Sequence, residues 1–124
     1  MSSNNYITLR RTGGFYQVFD NDALIVSYLF NYKINNYKVG FPVSAYNKVI
    51  NTLEDKYINY VVKDKEEIIK KDFKNRNKYS KFLEKSIIKD NVNNRINKIL
   101  DKINNMDKDE LELILNRIEE IIYE

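Results

Sequence analysis

The residue types that most often carry out chemistry in proteins are missing from this chain of 124 residues. It contains no cysteine, no histidine and no tryptophan. Without cysteine and histidine there is no disulfide framework, no Cys/His zinc site, no haem-attachment motif and no nucleophile paired with a histidine base. This composition argues against a conventional hydrolase. We expect no enzyme activity, no catalytic residue, no bound metal and no cofactor.

Two acidic segments have parts of functional motifs, and neither completes one. Asp20-Asn21-Asp22 begins like a calcium-binding loop, but it lacks the glycine at the sixth position and the closing glutamate. We expect Asp20 or Asn21 to cap a helix instead, because short polar side chains accept hydrogen bonds from free amides of a first helical turn. Glu54-Asp55-Lys56 resembles part of a nuclease site, without a further acid before a lysine-bearing strand.

Phe15 and Gln17 lie two residues apart in a segment, 15–19, that predicts a strand. Residues two apart on a strand point to the same face, so a ring and an amide would face one target. The ordinary alternative is burial, since strand aromatics usually pack in a core. On the preceding predicted strand, either Arg10 or Arg11 must face outward, where it contacts phosphate or has no partner.

The net charge of +3 is distributed unevenly along the chain. Residues 63–90 carry ten basic and six acidic side chains, whereas residues 91–124 carry five basic and eight acidic ones. A basic stretch with aromatic residues between its lysines suits sequence-independent nucleic-acid binding. The alternative is a solvated helical face with i,i+4 partners such as Glu67 and Lys71. We favour the solvated face for the helix itself.

Glycine and proline punctuate only the N-terminal part of the chain, since all of them lie before residue 43. Gly13-Gly14 between two strand-like runs predicts a hairpin. We therefore predict an α/β (α+β) unit over residues 1–64, a small mixed sheet with flanking helices. Its predicted elements are strands at 6–9, 15–19, 37–41 and 57–62, a helix at 21–31, and a second helix capped by Ser44.

Beyond this unit the apolar spacing becomes helical, and residues 65–124 are predicted to form a helical extension. Its first part is the basic segment, in which Ile68, Ile69 and Phe73 have helical spacing. The sequence DKDE at 107–110 has the spacing of a capping box and begins an amphipathic last helix. Only a few residues separate the last two helices, which predicts an antiparallel hairpin. Its apolar stripe must pack against the α/β unit or another subunit.

Two segments of the α/β unit carry a resemblance to a known family. The segment from Gly14 to Ala23, GFYQVFDNDA, is similar to the pattern G-x-F-Y-E-x-F followed by D-A. The segment from Val39 to Tyr46, VGFPVSAY, is similar to A-G-[IVF]-P-x-H-A-x and follows at a suitable distance. Together the two blocks resemble the mismatch-recognition domain, domain I, of the MutS family, over residues 6–63.

The resemblance implies that Phe15 wedges beside a mispaired base from the minor groove and that Gln17 hydrogen-bonds this base. Gln17 replaces the family's glutamate, so it keeps the length and an acceptor but adds two donors. Ser44 stands where the family has histidine. Arginines and nearby lysines would hold phosphates. The candidate DNA-binding residues are Phe15, Gln17, Arg10, Arg11, Lys38 and Ser44.

A self-sufficient repair ATPase would need a G-x-x-x-x-G-K-[ST] motif, which the sequence lacks. We therefore expect a non-catalytic protein whose partner is distorted or mismatched double-stranded DNA. The alternative is an adaptor or oligomeric regulatory protein that has lost DNA reading and uses its C-terminal helical hairpin to bind itself or another protein. No apolar run approaches the ~20 residues of a membrane span, and the segment from Met1 to Asn5 lacks the basic and apolar regions of a secretory signal. We expect a soluble, cytoplasmic protein without a membrane partner.

Overall fold

The computed structural model describes residues 5–123 and confirms the predicted mixed α/β class. Short 3₁₀ turns at Val43–Ala45 and Lys74–Arg76 connect some of the regular elements. The chain divides into two compact units, unit 1 up to Asp90 and unit 2 from Asn91. In chain order the elements are β1 (Ile7–Thr12), β2 (Phe15–Phe19), α1 (Asp20–Phe30), β3 (Lys38–Pro42), α2 (Tyr46–Asp55), β4 (Tyr60–Asp64), β5 (Glu67–Lys71), α3 (Tyr79–Asn104) and α4 (Lys108–Ile122).

The strands of unit 1 form one five-stranded sheet in the order β3-β2-β1-β4-β5. β1 and β4 are parallel, and the other neighbouring strands are antiparallel, so the sheet is mixed as predicted. The predicted β1–β2 hairpin is present. Gly13 has φ +61° in its turn, a left-handed conformation that glycine adopts without steric cost.

The helices of unit 1 cover one face of this sheet. Alternate strand residues point to that face and are buried: Ile7, Leu9, Tyr16, Val18, Val39, Phe41, Tyr60 and Val62. They form a single core cluster with residues of α1, α2 and the start of α3, namely Ala23, Ile25, Val26, Val49, Leu53 and Tyr79. Because successive strand residues alternate between faces, the remaining strand residues lie on the uncovered face.

An aromatic stack anchors β2 and β3 in this core. Tyr16 stacks on Tyr46 and on Phe41, with ring centroids 5.1 and 5.7 Å apart. The stack continues from Phe41 to Tyr32 at 6.0 Å and from Tyr32 to Phe30 at 5.5 Å. Such pairs contribute about 0.5–1.5 kcal/mol each beyond the burial of their area. The stack holds the Tyr16 ring in the core.

The helix predicted for the basic segment around Ile68 and Ile69 is wrong, because this segment forms strand β5. Lys65 has φ +57° in a tight turn, and the chain then folds back so that Ile69 pairs with Val62 of β4. Pairing satisfies the backbone groups of β4 on its otherwise free side, which local helical spacing cannot take into account. The boundary predicted after residue 64 falls inside this hairpin.

A hydrogen-bonded hub ties the connection after β5 to the core. The buried Asn59 accepts at Oδ1 from the backbone N–H of Phe73, at 2.6 Å, and donates through Nδ2 to Asp72 Oδ1, at 3.3 Å. Asn77 Oδ1 accepts from the backbone N–H groups of Asn59 and Tyr79, at 2.9 and 3.2 Å. The hub therefore fixes both the end of the hairpin and the first residue of α3.

Two predicted helix caps are wrong, and a third is confirmed. Asp20 belongs to the first turn of α1 and donates its N–H to the carbonyl of Tyr37, and no side chain caps this helix. Ser44 lies inside the 3₁₀ turn that leads into α2, which also has no side-chain cap because the turn itself supplies backbone bonds. At α4, the carboxylate of Asp107 accepts from the N–H of Glu110 at 2.9 Å.

Unit 2 contains the C-terminal part of α3, from Asn91 onward, and the whole of α4. The three residues 105–107 join the two helices. α3 ends at Asn104. None of the residues from Asn91 to Tyr123 is buried. Among the helices described in residues 5–123, none has the length and apolar character that crossing a membrane requires.

Candidate nucleic-acid interface

The sheet face that the helices leave uncovered is named the open face. Its strand positions follow from the observed pairing, since paired residues share a face. None of these residues is buried. They are Thr8, Arg10 and Thr12 of β1, Phe15, Gln17 and Phe19 of β2, Lys38, Gly40 and Pro42 of β3, Val61 and Lys63 of β4, and Ile68 and Lys70 of β5.

The register places Gln17 at the centre of a row that crosses all five strands. Gly40 and Arg10 pair with Gln17 on either side, Lys63 follows Arg10, and Ile68 follows Lys63. Directly paired residues have Cβ atoms about 4.5–5.5 Å apart, so their side chains are neighbours. The Gln17 amide therefore lies between a glycine with no side chain and a guanidinium group. This leaves one side of the amide open to a ligand.

Two exposed phenylalanines flank Gln17 along β2. Phe15 is 54% exposed and Phe19 is 40% exposed. A strand rises about 3.4 Å per residue, so the two ring positions are separated by about 14 Å along β2. Aromatic side chains on an uncovered sheet face offer flat surfaces on which bases stack. Each stacked base contributes about 1–3 kcal/mol to binding.

The charge on the open face has one sign. Arg10, Lys38, Lys63 and Lys70 are its charged strand residues, and none of its strand positions carries a carboxylate. None of these four side chains has an ion-pair partner among the residues that the structure describes. A surface of this kind attracts phosphate and is sensitive to salt.

Aromatic and acidic groups border the open face at one edge. Lys70 Nζ lies 4.7 Å from the centroid of the Tyr6 ring. The Tyr6 hydroxyl in turn donates to Asp72 Oδ2 at 2.6 Å. The hydrogen bond from Tyr6 lowers the pKa of the Asp72 carboxyl, and acceptance from the N–H of Lys74 lowers it further. Asp72 therefore remains an anion that orders the tyrosine.

A crevice of about 470 Å³ opens where β1 and β2 separate, between Thr8, Phe19 and the first turn of α1. Asp22 spans its floor, accepting from the Thr8 N–H at 3.0 Å and from the Tyr79 hydroxyl at 2.6 Å. Burial raises the pKa of Asp22, although both hydrogen bonds oppose this shift. Burial and the bond to Asp22 raise the pKa of Tyr79, which therefore keeps its proton. Asp22 thus works as a structural link between β1, α1 and α3.

Four of the six predicted DNA-binding residues lie on the open face, namely Phe15, Gln17, Arg10 and Lys38. Arg11 does not, because it pairs in register with the inward-facing Tyr16. Its guanidinium instead binds Asp64 at 3.1 Å and the Gly13 carbonyl at 3.2 Å. Ser44 lies outside the open face as well, in the turn that follows β3.

Among the other members of the open face, four bear most directly on ligand binding and were not singled out from the sequence: Phe19, Gly40, Lys63 and Lys70. The signal for Phe19 was present, because it shares the two-residue alternation of Phe15 and Gln17. Lys63 and Lys70 were noticed only as part of a basic stretch. Their place on the face follows from the pairing of β4 with β1 and β5, which no local pattern encodes.

Comparison with protein-family models finds no match, and none of the curated proteins matches the chain. The open face is therefore interpreted from its own side chains. A single sheet surface combines two exposed phenylalanines, one amide and four cations. Among the described residues, none of these cations forms an ion pair.

Proposed function

We propose that this protein is a non-catalytic, cytoplasmic DNA-binding protein whose open face contacts distorted or mismatched double-stranded DNA. The observation that carries the proposal is the segregation of charge: four cations and no carboxylate on one uncovered sheet face. Cations of this kind hold phosphates without reading sequence. The exposed aromatic rings between them supply contacts to bases that a purely electrostatic surface lacks.

Phe15 is suited to wedge between base pairs. It is more than half exposed, and it lies next to the β1–β2 turn, at the margin of the sheet. Its cross-strand neighbours, Thr12 and Pro42, are short and leave the ring free on both sides. Inserting an apolar ring costs a few kcal/mol of base unstacking, and the cost is lowest where pairing is already weak. This difference favours mismatched and bulged sites.

Gln17 is suited to probe the base next to the wedge. It points to the same face as Phe15, and its amide both donates and accepts hydrogen bonds. Gly40 beside it leaves room for a ligand, since even a Cβ at this position would meet only one backbone oxygen, at 3.9 Å. The resemblance of this segment to the MutS mismatch-recognition domain supports the same assignment for both residues.

Fluorescence anisotropy with labelled duplexes tests the proposal. Wild-type protein is expected to bind a mismatched or bulged duplex more tightly than a matched duplex of the same length. Phe15→Ala should lose about 1–3 kcal/mol of affinity for the distorted duplex, because one stacking contact is removed. Tyr123→Ala is the control, since it removes an even more exposed aromatic ring, from the residue that follows α4.

Two results would contradict the proposal. One is the absence of binding to any duplex at low salt, where phosphate contacts are strongest. The other is an equal affinity of wild type and Phe15→Ala for the distorted duplex, which would remove the wedge from the account.

A further inference from the structure

Unit 2 exposes many large apolar side chains on two helices. Between 44% and 74% of each side chain is exposed to solvent in Val92, Ile96, Ile99, Leu100, Leu113, Leu115, Ile121 and Ile122. Large exposed apolar patches are uncommon in monomeric proteins and mark interaction sites. Neither DNA binding nor the open face accounts for it.

The apolar residues of both helices follow the same seven-residue repeat, whose positions are lettered a to g. Apolar side chains lie at a and d and at most of the e positions. A stripe of this width is typical of helices that face a bundle core, whereas a two-helix seam needs only a and d. The a and d positions are Val92, Ile96, Ile99 and Ile103 in α3 and Leu111, Ile114, Ile118 and Ile121 in α4. Three of the five e positions in the helices of unit 2 are apolar, Leu100, Leu115 and Ile122, and the other two are Asn93 and Lys108.

The burial of side chains within unit 2 differs between the a and d positions and the e positions. The partly buried apolar residues of the two helices are all at a or d positions: Ile103, Leu111, Ile114 and Ile118. Met106, in the connection between the helices, is partly buried as well. The residues at e are all exposed. One α3–α4 pair therefore shields its own seam near the turn and leaves the adjoining e row uncovered. A second layer of helices is needed to cover that row.

The net charges of the two helices indicate which helices form this second layer. Residues 91–104 of α3 carry three basic and one acidic side chain, net +2, whereas residues 108–122 of α4 carry two basic and five acidic ones, net −3. If two helix pairs pack as a square, each α3 lies beside two α4 helices and each α4 beside two α3 helices. Every neighbouring contact then joins opposite net charges, and like charges meet only across the diagonal.

We propose that a second copy of this chain covers the stripe, so that two C-terminal helix pairs form a four-helix bundle and the protein is a homodimer. A single chain carries both complementary helices, with the same repeat and opposite charge. Two copies can therefore associate about a two-fold axis, so that the same surface of each copy forms the interface. The short connection is typical of antiparallel neighbours in such bundles. This proposal does not depend on DNA binding.

The test is the mass of the full-length protein in solution, measured by light scattering after size exclusion over a range of concentrations. Wild type is expected at twice the chain mass of 14.9 kDa. Leu115→Gln should raise the dimer dissociation constant on the order of 10²-fold or more, since each dimer loses two buried leucines. Glutamine keeps the helix propensity close to that of leucine, so α4 should still form.

Leu113→Gln is the matched control, because Leu113 is 67% exposed on the same helix but at position c, off the stripe. It should remain a dimer. Circular dichroism of both variants shows whether the helices are intact. A wild-type protein at the single-chain mass at every soluble concentration would overturn the proposal. So would a higher oligomer, or a dimer that Leu113→Gln weakens as much as Leu115→Gln does.

Discussion

Replacing Arg10, Lys63 and Lys70 together with glutamine is expected to weaken duplex DNA binding about 10²–10³-fold at about 0.1 M salt. On the proposed function, these three cations hold phosphates across β1, β4 and β5 of the open face. Each phosphate contact contributes about 0.9 to the slope of log affinity against log salt. The slope should therefore fall by about 3, as measured by anisotropy titrations at several salt concentrations.

A matched variant separates this effect from a general loss of positive charge. Arg76, Lys33 and Lys48 have the same composition, one arginine and two lysines, and none of them lies on the open face. Their replacement with glutamine should leave both the affinity and the salt slope close to wild type. Equal losses in the two triple variants would mean that DNA responds to net charge alone and that the open face has no special role.

Phe41→Ala is expected to lower the free energy of unfolding by about 3–5 kcal/mol. Phe41 is 1% exposed and stacks between Tyr16 and Tyr32 in the core. Its removal costs the transfer of the ring, leaves a cavity and interrupts the aromatic stack. A loss of this size is a large part of the 5–15 kcal/mol that stabilises an ordinary domain. Urea denaturation followed by circular dichroism measures it.

The control for this prediction is Phe15→Ala, which removes the same side chain from the opposite face of the sheet. Phe15 pairs in register with Pro42, the residue next to Phe41, yet its ring points to solvent. Its loss should change the free energy of unfolding by only about 0.5 kcal/mol, as at other exposed positions. A cost as large as that of Phe41→Ala would show that Phe15 is a core residue and is not free to contact a ligand.

Local patterns predicted much of the sheet because its strands obey simple alternation. The Gly13-Gly14 pair and the run from Phe15 to Phe19 located the first hairpin, and the spacing of Phe15 and Gln17 predicted that they share a face. Which of Arg10 and Arg11 faces outward could not be decided locally. The register with β2 decides it, because Arg11 is opposite Tyr16, whose ring is buried in the aromatic stack.

The strand β5 was missed because its local signal was ambiguous. Ile68, Ile69 and Phe73 have a spacing that suits a helix, while β-branched isoleucines also suit a strand. The outcome depends on the free side of β4 and on the hub around Asn59, neither of which is visible in the segment itself. The same long-range pairing brings Lys63 and Lys70 to the open face, so the place of these two cations could not be assigned from sequence.

The most direct test of the open face is a ¹H–¹⁵N NMR titration of the protein with a duplex containing one mismatch. The account predicts that the largest amide shifts fall on β2 and its neighbours on the open face, including Phe15, Gln17 and Gly40, and that Phe15→Ala reduces them. Shifts that are largest in α1, α2 or α4, with the strands unchanged, would contradict it.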